Sequence, residues 1–171
     1  TKPNQIWEMD MTKTYLNGYG WLYIMAIIDR YDRSIVGYEI SSRARADEWL
    51  AAFDKAVKNR FPGGTRDQGL ILQVDNGCQP TSHKFVKELY TCDVALLYSA
   101  YATPEHNAHI ERFFRTLKEE EIYYNLYETY SEAITSIEAY IDFYNNHRIH
   151  SALGYLTPAE YYQQSILQNV A

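Results

Sequence analysis

Three acids sit where folding alone does not ask for one: Asp10 inside an alternating segment, Asp75 at the end of an apolar run, and Glu111 beside the apolar stripe of a helix-like stretch. Carboxylates held close together repel unless they are protonated or bridged by cations. Acids gathered without basic partners suit hard divalent ions such as Mg²⁺, which takes few protein ligands and completes its shell with water and substrate phosphates. Two such ions about 3.5 to 4 Å apart activate a water or a 3′-hydroxyl and stabilise the leaving oxygen of an in-line displacement at phosphorus. Each acid also has an ordinary explanation. Asp10 suits the solvent face of an open edge strand. Asp75 suits a turn, because its side chain can accept from the backbone two residues on and Gly77 can take positive φ. Glu111 suits the first turn of a helix, where the dipole favours an acid. The elements that would carry the acids must decide.

"QIWEMDMT" (5 to 12) alternates, with Trp7, Met9 and Met11 on one face and Ile6, Glu8, Asp10 and Thr12 on the other, as a strand unequally covered on its two sides would. After the turn "YLNGYG", the continuously apolar "WLYIMAII" (21 to 28) reads as a central strand, and "SIVGYEIS" (34 to 41) as a third. Trp49, Leu50, Phe53, Ala56 and Val57 fall at helical spacing between 46 and 60, where Pro62-Gly63-Gly64 stops the run. "LILQVD" (70 to 75) is then a fourth strand, 83 to 91 a helix capped by Thr81 or Ser82, and "VALLYS" (94 to 99) a fifth strand. A long helix starts near Glu105 with the core stripe Ile110, Phe113, Phe114 and Leu117. Thr129 with Glu132, and Thr157 with Glu160, are capping-box patterns for two more helices.

This order predicts an α/β fold: a mixed five-stranded sheet, a three-stranded antiparallel meander plus two parallel strands, with helices on both faces. The first crossover returns the chain beside the founding strand, so strands one and four are expected to be neighbours, bringing Asp10 and Asp75 together. No repeat or low-complexity linker asks for a boundary, so one domain is expected over 1–171, with a helical extension from about 123.

The net charge of −6 is unevenly spread. Residues 1–118 carry 15 Lys and Arg against 14 acids, whereas 119–171 carry one Arg against eight acids. The acid excess therefore belongs to the C-terminal helices and leaves a nucleic-acid surface open in the first part, though without the footprint of a strong stand-alone binder. Two cysteines, Cys78 and Cys92, lie too far apart for a CxxC motif and are expected to be free thiols. The longest apolar run has eight residues, too short for a membrane span. A soluble, cytoplasmic protein is expected, and the start at Thr1 suggests an excised piece of a longer one.

Asp75 and Glu111 are separated by 35 residues, with "WEMDMT" upstream, "VDNGCQPTS" at the second acid, "HNAHIERFFRTLKEE" at the third and "FYNNHRIHSALGYLTPAEYY" beyond. Over about residues 4 to 162 this combination resembles the catalytic core shared by retroviral integrases and Asp-Asp-Glu transposases, most closely those of bacterial insertion sequences. The resemblance implies a ribonuclease-H-like fold, two Mg²⁺ or Mn²⁺ ions on Asp10, Asp75 and Glu111, and cleavage and strand transfer at DNA 3′ ends. It also implies DNA as partner and a homo-oligomer assembled on DNA ends. The upstream DNA-binding helices of a complete transposase are expected to lie outside this chain. "ATPEHNAH" (102 to 109) departs from the Gly-Asn-Pro-Tyr-Asp-like turn common before the third acid.

On the Glu111 face, Asn107, Arg115 and Lys118 follow at i−4, i+4 and i+7. Asn107 is expected to shape the site and Arg115 and Lys118 to hold phosphates, which position DNA without reading its sequence. The alternative for Arg115 is a helical ion pair with Glu111. Arg148 and His150, in the matched tail, either contact DNA or bind a carboxylate of the acidic helices. His106, His109, His147 and His150 lack cysteines at ligand spacing, so a structural zinc site is not expected. Two rivals remain: a ribonuclease H or structure-specific nuclease, which would usually want a fourth acid that Asp29, Asp32 or Asp93 supplies poorly, and a non-catalytic assembly module.

Overall fold

The computed structural model describes residues 2–75, 77, 80–98 and 107–170, with side chains as far as 168. The expectations at Asn76, Cys78, Glu105, His106 and most of the loop from Ala100 lie outside the described residues.

The meander is β1 (Ile6–Leu16), β2 (Gly20–Asp29) and β3 (Ile35–Ser41). α1 (Ala46–Arg60) leads to β4 (Ile71–Val74), and α2 (His83–Thr91) leads to β5 (Ala95–Tyr98). α3 (Ala108–Leu117), α4 (Tyr130–Asn146) and α5 (Pro158–Val170) complete the chain. The sheet order is β3-β2-β1-β4-β5, antiparallel through the meander and parallel from β1 through β4 to β5, as the sequence predicts.

Two departures have identifiable causes. The first hairpin is longer than expected, because Tyr15 pairs with Trp21 and Leu16 with Gly20, and the two rings meet edge-on at 5.3 Å. The third helix does not run on as α: it widens into a π-helical turn at Lys118–Ile122. This turn aims Glu120 at Arg148 and Tyr140, and Glu121 at Tyr127 and Ser136.

Period-two alternation divides the core between the two faces of the sheet. Trp7, Met9, Met25, Ile27, Leu72 and Val74 pack against Trp49 and Phe53 of α1 and Phe85 of α2. Ile24, Ala26 and Ile28 pack on the other face against Ile110, Phe113 and Leu117 of α3 and Ile137, Ile141 and Tyr144 of α4. α4 thus shares the core of the sheet, as one domain requires. Its N-terminus is capped by Thr129, which accepts from the Glu132 N–H, and α5 carries the full reciprocal box between Thr157 and Glu160.

β3 approaches α1 so closely that a Cβ on Gly37 would stand 2.5 Å from the Ala52 carbonyl and 2.6 Å from Ala56 N. These are backbone atoms and cannot swing aside. Gly37→Ala is therefore expected to cost about 2 to 3 kcal/mol, the range of core overpacking, read as a lower urea midpoint at unchanged slope; an unchanged midpoint would show that the contact relaxes freely.

Candidate active site

Asp10 lies in the middle of the central strand β1, opposite Ala26 of β2, and so on the α3 face of the sheet. It is half-buried, and one carboxylate oxygen accepts from the Met11 N–H at 2.7 Å. The last β1–β4 pair is Glu8 with Gln73. Two residues further along each parallel strand stand Asp10 and Asp75, again on the same face by alternation. Asp75 is exposed just past the end of β4, and its Oδ1 accepts from the Gly77 N–H at 2.9 Å. The turn explanation of Asp75 therefore holds as well, although not through positive φ, which Gly77 does not adopt. A Cβ on Gly77 would stand 2.9 Å from the Asp75 carboxylate, so a side chain there would displace that carboxylate.

Glu111 is exposed in the first turn of α3. Among the described residues none of the three acids pairs with a Lys or Arg, and the Glu111–Arg115 ion pair does not form. The three nevertheless share one electrostatic environment. Burial pushes the Asp10 carboxyl up to about 6; the Met11 N–H opposes this, and the charges of Asp75 and Glu111 add to it.

What holds Glu111 there is a residue that sequence reasoning passed over. Glu8, on the same face of β1 as Asp10, is wholly buried. Its Oε2 accepts from the backbone N–H groups of His109 and Ile110, both at 3.1 Å, and its Oε1 lies 2.7 Å from His109 Nδ1. Arg30 Nε adds an ion pair at 3.7 Å. Asn107 stands at the N-cap of α3 but makes no side-chain cap bond, so the strand carboxylate replaces it as the acceptor for the orphan helix donors. Asn107 is itself buried, and its Oδ1 accepts from Gln73 Nε2 at 3.3 Å. The only signal for Glu8 was its shared strand face with Asp10.

The remaining predicted residues separate. Arg115 is exposed and Lys118 half-buried, and neither has an ion-pair partner among the described residues. Arg148 takes the carboxylate option, binding Glu120 through Nε at 2.9 Å and Nη2 at 2.6 Å. His150 packs edge-on against Tyr144 at 4.9 Å, and burial lowers its pKa to about 4. His147 lies over Phe143. The fourth-acid candidates are occupied elsewhere. Asp29 accepts from Asn4 N, Trp7 Nε1 and Tyr31 N; Asp32 binds Ser34 N and Arg60; Asp93 accepts from Asp67 N.

Among the described residues no three His, Cys, Asp or Glu side chains stand close enough to hold an ion between them. Yet the donor set is all carboxylate oxygen and uncompensated. It fits a hard divalent ion that takes one or two protein ligands and leaves positions for water and phosphate.

A meander with two parallel strands added beside its first strand is also the architecture of solved integrase catalytic cores. Solved cores have this fold: that of HTLV-2 integrase, in complex with magnesium, superposes with TM-score 0.72 at 16% identity over 94% of this chain and 97% of its own. That of BIV integrase superposes with TM-score 0.70 at 19% identity over 98% and 99%. The model of the integrase core domain family matches residues 1–104, and a second integrase core domain model matches 93–158. The chain belongs to the integrase core domain family.

Its relatives include the transposase for insertion sequence element IS904 of Lactococcus lactis subsp. lactis (strain IL1403), 36% identical over 94% of this chain. Another is the transposase InsF for insertion sequence IS3fB of Escherichia coli (strain K12), 31% identical over 96% of it. The chain spans 62% and 56% of the length of these two.

Two outcomes follow. Glu8→Gln, which removes the charge facing the start of α3, is expected to lower stability by about 2 kcal/mol, in the range of hydrogen bonds to a charged group; an unchanged urea midpoint would sink the capping role. Asp10 and Asp29 both have pKa values raised to about 6 in the folded chain, so their contribution to stability is full below about pH 4 and is lost as pH rises through 6. In a chelator, Asp10→Asn is expected to be more stable than the parent at pH 7, by on the order of 2 kcal/mol. The gap should close below about pH 4, and parallel pH profiles would contradict it.

Proposed function

We propose that this chain is the catalytic core of a bacterial insertion-sequence transposase, which cleaves DNA at the element's 3′ ends and joins those ends to target DNA. The observation that carries the reading is the uncompensated set Asp10, Asp75 and Glu111, on one face of the sheet in a family whose relatives here are transposases. The three acids are the ligands of two Mg²⁺ or Mn²⁺ ions; the related core of HTLV-2 integrase is in complex with magnesium. Such ions supply Lewis acidity at phosphorus, a lowered pKa for the attacking water or hydroxyl, and charge for the leaving oxygen.

The chain's own residues do the rest. The carboxylates of Asp10 and Asp75 extend from neighbouring strands, so their spacing is set by the sheet, while Glu111 closes the site from a helix whose start is fastened to β1. In cleavage a water oxygen bonds to phosphorus as the P–O bond to the neighbouring nucleotide breaks, leaving a 3′-hydroxyl. In joining, that hydroxyl attacks a target phosphodiester, and the displaced 3′-oxygen leaves with a proton from solvent. No protein side chain becomes bonded to DNA. Arg115 and Lys118, on the flank of Glu111 and free of ion pairs among the described residues, hold flanking phosphates.

Residues 1–171 act as one unit, with the helices after about 123 as its extension, supported by the core that α4 shares with the sheet. The active form is a homo-oligomer on DNA ends, working in the bacterial cytoplasm; among the described residues no helix is long and apolar enough to cross a membrane.

The test is joining of labelled DNA ends to a plasmid in Mn²⁺, with the complete transposase containing this core. Asp75→Asn is expected to reduce joining by more than about 100-fold, beyond the range typical of an outer-sphere partner. Joining that survives the substitution, or efficient cutting of an RNA–DNA hybrid with no joining, would replace this reading by the assembly module or the nuclease.

A further inference from the structure

α3 has a second polar flank that the three acids do not use. His109, Arg112 and Thr116 recur at i, i+3 and i+7 and line a cleft of about 450 Å³ with Arg33, Arg148 and His150. At Arg33 and His109 the cleft continues into another of about 440 Å³, whose lining adds Lys2 and Arg30. No acid lines either half, in a chain of net charge −6. Asp10, Asp75, Glu111, Arg115 and Lys118 are absent from both linings, so the trough is separate from the carboxylate face.

The cations of the trough differ: Arg30 pairs with Glu8 and Arg148 with Glu120, whereas Arg33 and Arg112 make no ion pair with any described residue. Arg112 is exposed. Arg33 is held in a turn at φ 65°, with Nη1 buried and without a hydrogen-bond partner, and His150 Nε2 is likewise buried and unpartnered. A buried guanidinium donor without an acceptor is rare in folded proteins and calls for an explanation, whereas the Nε2 of a neutral imidazole is an acceptor in one of its two tautomers. The acids nearest at hand are engaged: Glu120 by Arg148 and Tyr140, and Glu8 by α3.

We propose that this trough is a second DNA-backbone site, in which Arg33 and Arg112 hold consecutive phosphates of a duplex away from the phosphodiester that reacts. A lone anion would need one pocket of cations. Two clefts joined at Arg33 and His109 instead follow a run of charges, and guanidinium groups present planar, paired donors to phosphate oxygens. The site rests on the reading of DNA as substrate and adds to it where DNA is gripped.

The test is metal-free, so it does not depend on the chemistry. Binding of a fluorescent linear duplex in EDTA is followed by anisotropy across a salt series, where each phosphate contact adds about 0.9 to the slope of log K against log salt. Arg112→Gln is expected to weaken binding and to lower that slope by about one, with Arg112→Lys restoring the slope. Arg112 is exposed, so the variants should keep the parental melting midpoint. Titration with inorganic pyrophosphate separates the sources. If Arg112→Gln abolishes pyrophosphate binding while the duplex slope stays at the parental value, the cleft serves a small anion and the proposal fails. If neither changes, or the parent binds no duplex, it also fails, whereas loss of joining in Asp75→Asn would leave the transposase reading standing.

Discussion

The buried carboxylate of Glu8 is the constraint on which the site depends. A charge taken wholly out of water is tolerated only where donors and opposite charge replace its hydration. Here they come from the first N–H groups of α3, from His109 and from Arg30. The exchange works in both directions, because α3 begins with unsatisfied donors that Asn107 does not cap. Beside Glu8 in the sheet, Gln73 grips Asn107, so the two neighbouring strands both hold the start of the helix. One strand period further, the same two strands present Asp10 and Asp75. The lower pair of side chains positions the helix, and Asp10 of the upper pair feels the charge of the acid that the helix carries.

That arrangement also explains what could be read from the sequence and what could not. Asp10, Asp75 and Glu111 were legible because each broke a local pattern: an acid in an alternating strand, at the end of an apolar run, or beside a core stripe. The strands and helices were legible from the same periodicities, with α1 and α2 bounded by breakers and caps that act within a few residues. Glu8 broke no pattern, since it read as one more polar residue on the half-covered face of β1. Its partners lie 101 and 102 residues away, and no local preference encodes such a bond. The π-helical turn after α3 has the same origin. Nothing in "KEEEI" forbids a continued α-helix, but Glu120 and Glu121 are drawn out of register towards Arg148, Tyr140, Tyr127 and Ser136 of the later chain. The two open roles for Arg148 could be separated only by tertiary structure, which gives it Glu120.

Carboxylates on this sheet occupy contrasting environments. Asp29 and Asp32, at the β2–β3 turn, are buried but bonded by backbone donors, by Trp7 and by Arg60, whose guanidinium also stacks 3.7 Å from the Tyr162 ring of α5. Glu8 has a helix terminus. Asp10 has one adjacent N–H and two like charges, and its carboxyl is held up at about 6. Asp29 is likewise held up at about 6, by burial and by Asp32, but three donors answer it; Asp10 is left with one donor facing two like charges, a local inconsistency of the kind that functional sites carry. A cation bound there, as proposed, would remove it.

α3 therefore separates two kinds of charge. Its Glu111 flank faces carboxylates and no paired base, whereas its Arg112 flank faces Arg33, Arg148 and His150 and no lining acid. A polyanion approaching the first flank alone meets repulsion until cations occupy it, because unscreened like charges act over a Debye length of about 8 Å at physiological salt. The second flank needs no metal to attract the same molecule. On the proposed reading, placing the two on adjacent faces of one short helix, whose start is pinned to the central strand by Glu8, would let a DNA backbone be held before the carboxylates are neutralised. It would also tie the position of the grip to the position of the acids through a single rigid element.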